Sequence, residues 1–273
     1  MKKKILGLLI ALSMAVPVFA NITVSPTRVE INANKVRNNY ATTAIEIRGA
    51  QDKPVRYRAY TEYFTINDKA EMVASKGGND PHDISSKIRF VPSEFTVPAG
   101  KSQKVRINIA NVKALPDGES RAVVYFEDVQ PKEYNVPNPY GISAQLVLKT
   151  RVAVPVYVDK GNFIKKADVE SFEIVKQKDG LYTKMKVVST GNSRVRYTGK
   201  IQIIDGKKLI DEYDIDGSAV GHNNSLVKMN KIETDKITKA GDYTLRLILS
   251  YFDEKDNKKI IKKDTILKIT GNV

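Results

Sequence analysis

Apolar residues in this chain recur at every second position, in segment after segment, and that period leaves little choice of fold. Ile45 and Ile47, then Val105, Ile107 and Ile109, then Val123 with Tyr125, and later Leu245, Leu247 and Leu249 each give an extended strand one apolar face. No stretch carries a convincing apolar stripe of period 3.6 over three turns. Turn signals separate the segments: Pro98-Ala99-Gly100, Pro116-Asp117-Gly118, Asp179-Gly180, Asp205-Gly206 and Ala240-Gly241-Asp242. Short strands at regular spacing favour sandwiches over open sheets, so the expected class is all-β. The polar stretch 67–87, rich in Gly, Lys and Asp, reads as a mobile surface loop.

A β-branched run through Val158 gives way to Asp159-Lys160-Gly161-Asn162. This places a boundary between an N-terminal domain, 21–159, and a C-terminal domain, 160–273. Each side holds about seven strand candidates, the usual count of an immunoglobulin-like sandwich. The chain has no cysteine, so disulfides, thiolate nucleophiles and cysteine-based metal sites are excluded. Each domain must be held by core burial alone.

Residues 1–20 read as a secretory signal. Lys2, Lys3 and Lys4 precede an apolar run from Ile5 to Phe19 that ends in small residues at Val18 and Ala20. The run is shorter than the roughly 20 residues a spanning helix needs, and no second long apolar stretch follows. Cleavage after Ala20 would leave Asn21 first, with no stable membrane insertion. The chain has 45 Lys and Arg against 31 Asp and Glu; without the three signal lysines, 42 against 31 leaves +11. That excess is spread through strands and loops alike, so it reads as a solvated basic surface suited to acidic partners. A nucleic-acid partner is not expected: export argues against it, and recognition helices and stacking-aromatic signatures are missing.

Enzyme chemistry is tested by elimination. His82 and His222 are the two histidines, in separate expected domains and both in polar, loop-like sequence. They read as surface histidines rather than as members of a metal site or a nucleophile–base pair. Ala99-Gly100-Lys101-Ser102 resembles the end of a phosphate-binding loop, but the earlier glycine of that motif falls on Phe95, so a turn is the simpler reading. No enzyme, cofactor or metal is expected.

Four segments of the first domain do resemble a known family. They are Val24-Ser25-Pro26-Thr27-Arg28-Val29; Phe90-Val91-Pro92-Ser93-Glu94-Phe95 through Pro98-Ala99-Gly100 to Gln103-Lys104-Val105-Arg106-Ile107; Leu115-Pro116-Asp117-Gly118-Glu119-Ser120; and Arg151-Val152-Ala153-Val154-Pro155-Val156-Tyr157-Val158. In order and spacing they resemble the periplasmic chaperones of the chaperone–usher pilus pathway, with an ending closer to the archaic branch. The second domain adds to this only by being a further β-sandwich.

The resemblance implies two immunoglobulin-like β-sandwich domains in a periplasmic protein. Its partners would be pilus subunits and an outer-membrane usher. Such subunits lack a strand, and the chaperone lends its own, main chain to main chain. Ile142, Ala144, Leu146 and Leu148 alternate with Ser143, Gln145 and Lys149, Val147 being the impurity, and would form the apolar row of that donor strand. Periodicity alone leaves open that the four pack their own core. The resemblance also implies a pair of basic residues that holds the subunit's terminal carboxylate. Arg28 falls on the first; the second falls on Ala153, so Arg151 is expected to substitute, with Lys149 a weaker candidate. The family's Arg near the end of the final strand is Tyr157 here, which would leave Glu119 without its partner across the domains. The domains would then be held by apolar contacts, or meet at a different angle. Gly191-Asn192-Ser193 reads as a turn with no chemistry. A two-domain immunoglobulin-like surface or adhesin component is the alternative function.

Overall fold

The computed structural model describes residues 22–67, 71–130, 132–136, 144–233 and 235–270. The chain is all-β. Its first part runs through β1 (Thr23–Ser25), β2 (Val29–Asn32), β3 (Tyr40–Arg48), β4 (Val55–Ile66), β5 (Met72–Ser75), β6 (Ile88–Val91), β7 (Glu94–Val97), β8 (Ser102–Ala110), β9 (Gly118–Asp128), β10 (Lys132–Val136), β11 (Ala144–Leu148) and β12 (Arg151–Lys160). Its second part runs through β13 (Ala167–Gln177), β14 (Gly180–Ser189), β15 (Val195–Asp205), β16 (Lys208–Val220), β17 (Ser225–Lys231), β18 (Gly241–Phe252) and β19 (Lys258–Ile269).

In the first sandwich, a sheet of order β1-β3-β8-β6 faces one of order β2-β12-β9-β4-β5, with β7 also paired to β4. The alternation explains the packing. Ile45, Ile47, Val105, Ile107 and Ile109 from one sheet meet Val124, Phe126, Val154, Val156 and Val158 from the other, all fully buried in one cluster. Each such side chain contributes about 1.5–3 kcal/mol on burial. β9 breaks the alternation, because its outer face is covered too. Val123 and Tyr125 pack there with Phe64 and Tyr157 in a separate cluster.

The second sandwich sets the sheet β13-β14-β17 against β16-β15-β18-β19 around Met185, Val187, Ile201, Ile203, Leu245, Leu247 and Leu249. The segment expected to be a loop over 67–87 instead contributes β5, paired antiparallel to the end of β4 from Tyr63↔Ser75 to Ile66↔Met72. Its Asp83 and Ile84 are buried. The short strand escaped notice because Met72-Val73-Ala74-Ser75 sits on a sheet edge, where one row of side chains stays exposed and no alternation builds up.

Candidate functional site: an open strand edge and the seam between the sandwiches

β9 and β12 form a long antiparallel hairpin, paired from Arg151↔Glu127 to Lys160↔Gly118. The hairpin continues beyond the sandwich as the two-stranded ribbon β10-β11, from Lys132↔Leu148 to Val136↔Ala144. On the other side of β12, β2 pairs in parallel only from Val29↔Val156 to Asn32↔Asp159. Among the described residues, no strand pairs with the β2-facing edge of β11 and β12 from Ala144 to Pro155. This row of unpaired backbone groups is a template for another strand.

Of the expected donor residues, Ala144, Leu146 and Leu148 fall in β11, along this edge. Ala144 and Leu146 pair in register with Val136 and Tyr134; Ile142 lies outside the described residues, as do residues 1–20 and the Asn21 terminus. Leu148 is 47% exposed and stands apart from the core cluster. The same alternate positions farther along, Val152, Val154, Val156 and Val158, pack into or against that core. The row thus packs on the protein's own sandwich from Val152 to Val158 and is exposed at Leu148.

Arg28 and Arg151 occupy different surroundings. Arg28 precedes Val29, where β2 begins, and its Nε donates to Glu30 Oε1 at 2.9 Å. Arg151 lies five positions before Val156, roughly 16 Å along an extended strand. Its Nη1 donates to the Tyr60 hydroxyl at 3.1 Å, and its guanidinium lies 4.4 Å from the Tyr125 ring centroid. Tyr60 in turn donates to Glu127 Oε2 at 2.9 Å, and Lys149 sits 3.9 Å from Glu127 Oε1.

Glu119 does have a partner, contrary to the sequence expectation, and the second sandwich supplies it. Arg194 donates to Glu119 Oε2 twice, from Nη1 at 2.7 Å and from its backbone N–H at 3.0 Å. Glu119 is fully buried and the Arg194 side chain is 3% exposed. Arg121 approaches Glu119 Oε1 at 3.6 Å, and Asp159 lies 3.7 Å from Arg194. The Arg194 guanidinium sits 3.8 Å from the centroid of the Tyr157 ring. Tyr157 on β12 thus offers an aromatic ring on which a cation from the other sandwich rests.

The seam is therefore polar and closely fitted, not apolar. Glu119 N–H donates to the Asn192 carbonyl at 3.0 Å, and Ser193 Oγ donates to Asp159 Oδ1 at 2.7 Å. Gly118 has φ +103°, and a Cβ there would lie 2.9 Å from the Asn192 carbonyl oxygen, so this approach requires glycine. The Gly191-Asn192-Ser193 turn, read from sequence as a turn with no chemistry, supplies one partner of each of these three contacts.

The two histidines also meet at this seam, 6.3 Å apart by ring centroids and both partly buried rather than on the surface. Neither Nδ1 has a hydrogen-bond partner, and that of His222 lies 3.9 Å from Glu119 Oε1. Burial holds the His222 pKa below the usual histidine value; nearby Arg121 lowers it further, against the pull of Glu119. Among the described residues, no three His, Asp or Glu are grouped to hold a metal ion.

Sequence reasoning missed Glu30, Arg194 and Arg196. The available signal was Arg194-Val195-Arg196, two cations on one face of a strand directly after a tight turn. Oε1 of Glu30 lies 3.3 Å from Arg194 Nη2 and 2.6 Å from Arg196 Nε. Burial alone would raise the Glu30 pKa, but the charge of Arg194 and the hydrogen bond from Arg196 bring it down to about 2.

No family model and no curated protein matches the chain. Among solved structures, the YadV chaperone is similar over 91% of this chain and all of its own, at 13% identity and a TM-score of 0.46. The class 5 fimbriae chaperone CfaA is similar over 92% of this chain and all of its own, at 13% identity and 0.46. The pre-assembly complex of the chaperone CsuC with the tip adhesion subunit CsuE, from the archaic chaperone–usher Csu pili of Acinetobacter baumannii, covers 89% of this chain and 98% of its own, at 12% identity and a TM-score of 0.44. The whole chain is thus similar to solved pilus chaperones, at identities that speak of fold alone.

Proposed function

We propose that this protein is a periplasmic chaperone without a catalytic step, which shields incomplete pilus subunits by adding its open β11–β12 edge to them and delivers them to an outer-membrane usher. The observation that carries this reading is the place where the open edge ends. β2 runs parallel to β12 and begins beside Val156, with Arg28 immediately before it. A guest strand laid on the edge in line with β2 and running in the same direction therefore ends its chain at Arg28. Its terminal carboxylate meets a guanidinium, and a charge-assisted pair fixes how far the strand has slid. Leu148, with Ile142, Ala144 and Leu146, would fill the guest's apolar groove, and Arg151 would lie farther back along the same edge. Cleavage of residues 1–20 would place the chain in the periplasm. Among the described residues, no helix is long and apolar enough to cross a membrane.

The test uses a peptide of about twelve residues alternating valine and threonine, long enough to cover the edge, with its terminal carboxylate free or amidated. Wild type is expected to bind both forms and to prefer the free acid. Arg28→Ala should lose at least tenfold in free-acid affinity, since stranding a charge costs about 2–5 kcal/mol, and Arg151→Ala should lose less. Failure of wild type to bind either peptide sinks the reading.

A further inference from the structure

Three guanidinium groups converge on one carboxylate oxygen at the end of the open edge. Oε1 of Glu30 lies 2.9 Å from Nε of Arg28, 2.6 Å from Nε of Arg196 and 3.3 Å from Nη2 of Arg194. Two of the three cations come from the second sandwich. Arg194 is shared with Glu119 and Asp159, and its Nε is buried without a hydrogen-bond partner. Arg28 and Arg196 both pair with Glu30.

We propose that, at the Arg28 carboxylate seat of the reading above, Arg196 from the second sandwich is the second cation, and that Glu30 fills the seat in the free protein as an internal stand-in which the guest displaces. The inference rests on the strand-capture reading above. Accessibility favours it: the side chains of Arg28, Glu30 and Arg196 are 49%, 37% and 35% exposed, whereas the neighbouring Glu119–Arg194 pair is sealed from solvent. Position favours it as well. Glu30 pairs in register with Tyr157, just past the point where a guest aligned with β2 would end.

The chemistry of exchange is balanced. The incoming group is a carboxylate like the one it replaces, so no guanidinium is left bare, and the displaced Glu30 carboxylate, already 37% exposed, turns out to water. The low pKa of Glu30 shows how strongly the cluster favours an ionised carboxylate. Arg151 would instead have to give up Tyr60 and the Tyr125 ring, and it stands roughly 16 Å away along the strand.

The experiment repeats the free-acid and amidated valine–threonine peptides on the mature protein with Glu30→Gln and with Arg196→Gln, alongside melting curves. Removing the stand-in should raise free-acid affinity by about tenfold or more, because the seat is no longer shared, and should leave the amidated peptide unchanged. Arg196→Gln should bind the amidated peptide as wild type does and lose most of the preference for the acid. If Glu30→Gln lowers the melting temperature but leaves the acid-to-amide ratio as in wild type, Glu30 is only a bridge between the sandwiches and the inference is overturned. If wild type binds both peptides equally, strand capture stands and the carboxylate seat does not. If wild type binds neither, strand capture itself has failed. Should Glu30→Gln not fold, Arg196→Gln decides by keeping or losing the acid preference.

Discussion

Two of the strands that end sheets among the described residues are dressed in opposite ways. β19 ends the sheet β16-β15-β18-β19, and its segment from Lys258 to Ile269 places Lys258, Lys259, Lys262, Lys263 and Lys268 along that edge. Lysine on an edge strand refuses a neighbour, because pairing would bury or crowd the charge. β11, Ala144-Gln145-Leu146-Val147-Leu148, carries no charge at all, and its Val147 and Leu148 are 51% and 47% exposed. On the strand-capture proposal, aggregation is guarded against where pairing would be an accident and left unguarded where the edge would have a use. The difference teaches that exposure by itself is not the signal; exposure without a gatekeeper is.

The sharpest way to break the comparison is to give β11 the charge it lacks. Leu148→Glu should leave the circular dichroism spectrum and melting curve near wild type, because Leu148 stands outside the core cluster. It should lower capture of a fimbrial subunit in co-purification by about a hundredfold, the cost of bringing an unpaired charge into an apolar groove. Unfolding instead would mean that the row packs its own domain. The converse change, Lys262→Val with Lys268→Val, removes two of the five lysines and places valines beside Ile260 and Ile266, which are 56% and 52% exposed, on a face that Asp264 interrupts. Concentration-dependent self-association should then appear in light scattering, with melting temperature altered by only a few degrees. A protein that stays monomeric would show that the lysines do not guard the edge.

The smallest effect concerns the seam that joins the two halves. The folded-state pKa of His222 is held below its unfolded value, first by burial and then by Arg121. The folded state therefore binds fewer protons than the unfolded, and stability rises with pH. This contribution is complete above the unfolded value of about 6.5 and is lost as pH falls below it. Glu30 and Asp253, each held at about 2, do not titrate in that window. The melting temperature should dip slightly between about pH 7.5 and about pH 5.5, and His222→Gln should flatten the dip. An unchanged dip in the variant would move its origin elsewhere.

Much of the fold was legible because the signal is local. Val105, Ile107 and Ile109 alternate in sequence and are all fully buried, and one face of one strand needs no knowledge of the rest of the chain. β9 was less legible: Ala122 to Phe126 are buried without a break, since Phe64 and Tyr157 arrive from other strands to cover its second face. The seam was hidden for the same reason. Arg194 meets Glu119 across 75 residues, and the loops that bring His82 beside His222 are separated by about half of the chain. Short-period patterns reveal which way a side chain faces, while such pairings depend on how two sandwiches meet. Arg28 was singled out by resemblance, yet the carboxylate it binds belongs to a residue two positions away.

The short parallel strand β2 covers only Val156 to Asp159 of its neighbour, and that economy has a mechanical meaning. On the strand-capture proposal, a guest sliding along the edge would run into occupied backbone at Val29, as a drawer meets its stop. Alignment is then set by collision and does not require each guest side chain to be read. Guests of different sequence would halt at the same place, and a shift of one residue, which would turn every side chain to the wrong face, would leave a gap or a clash at that end.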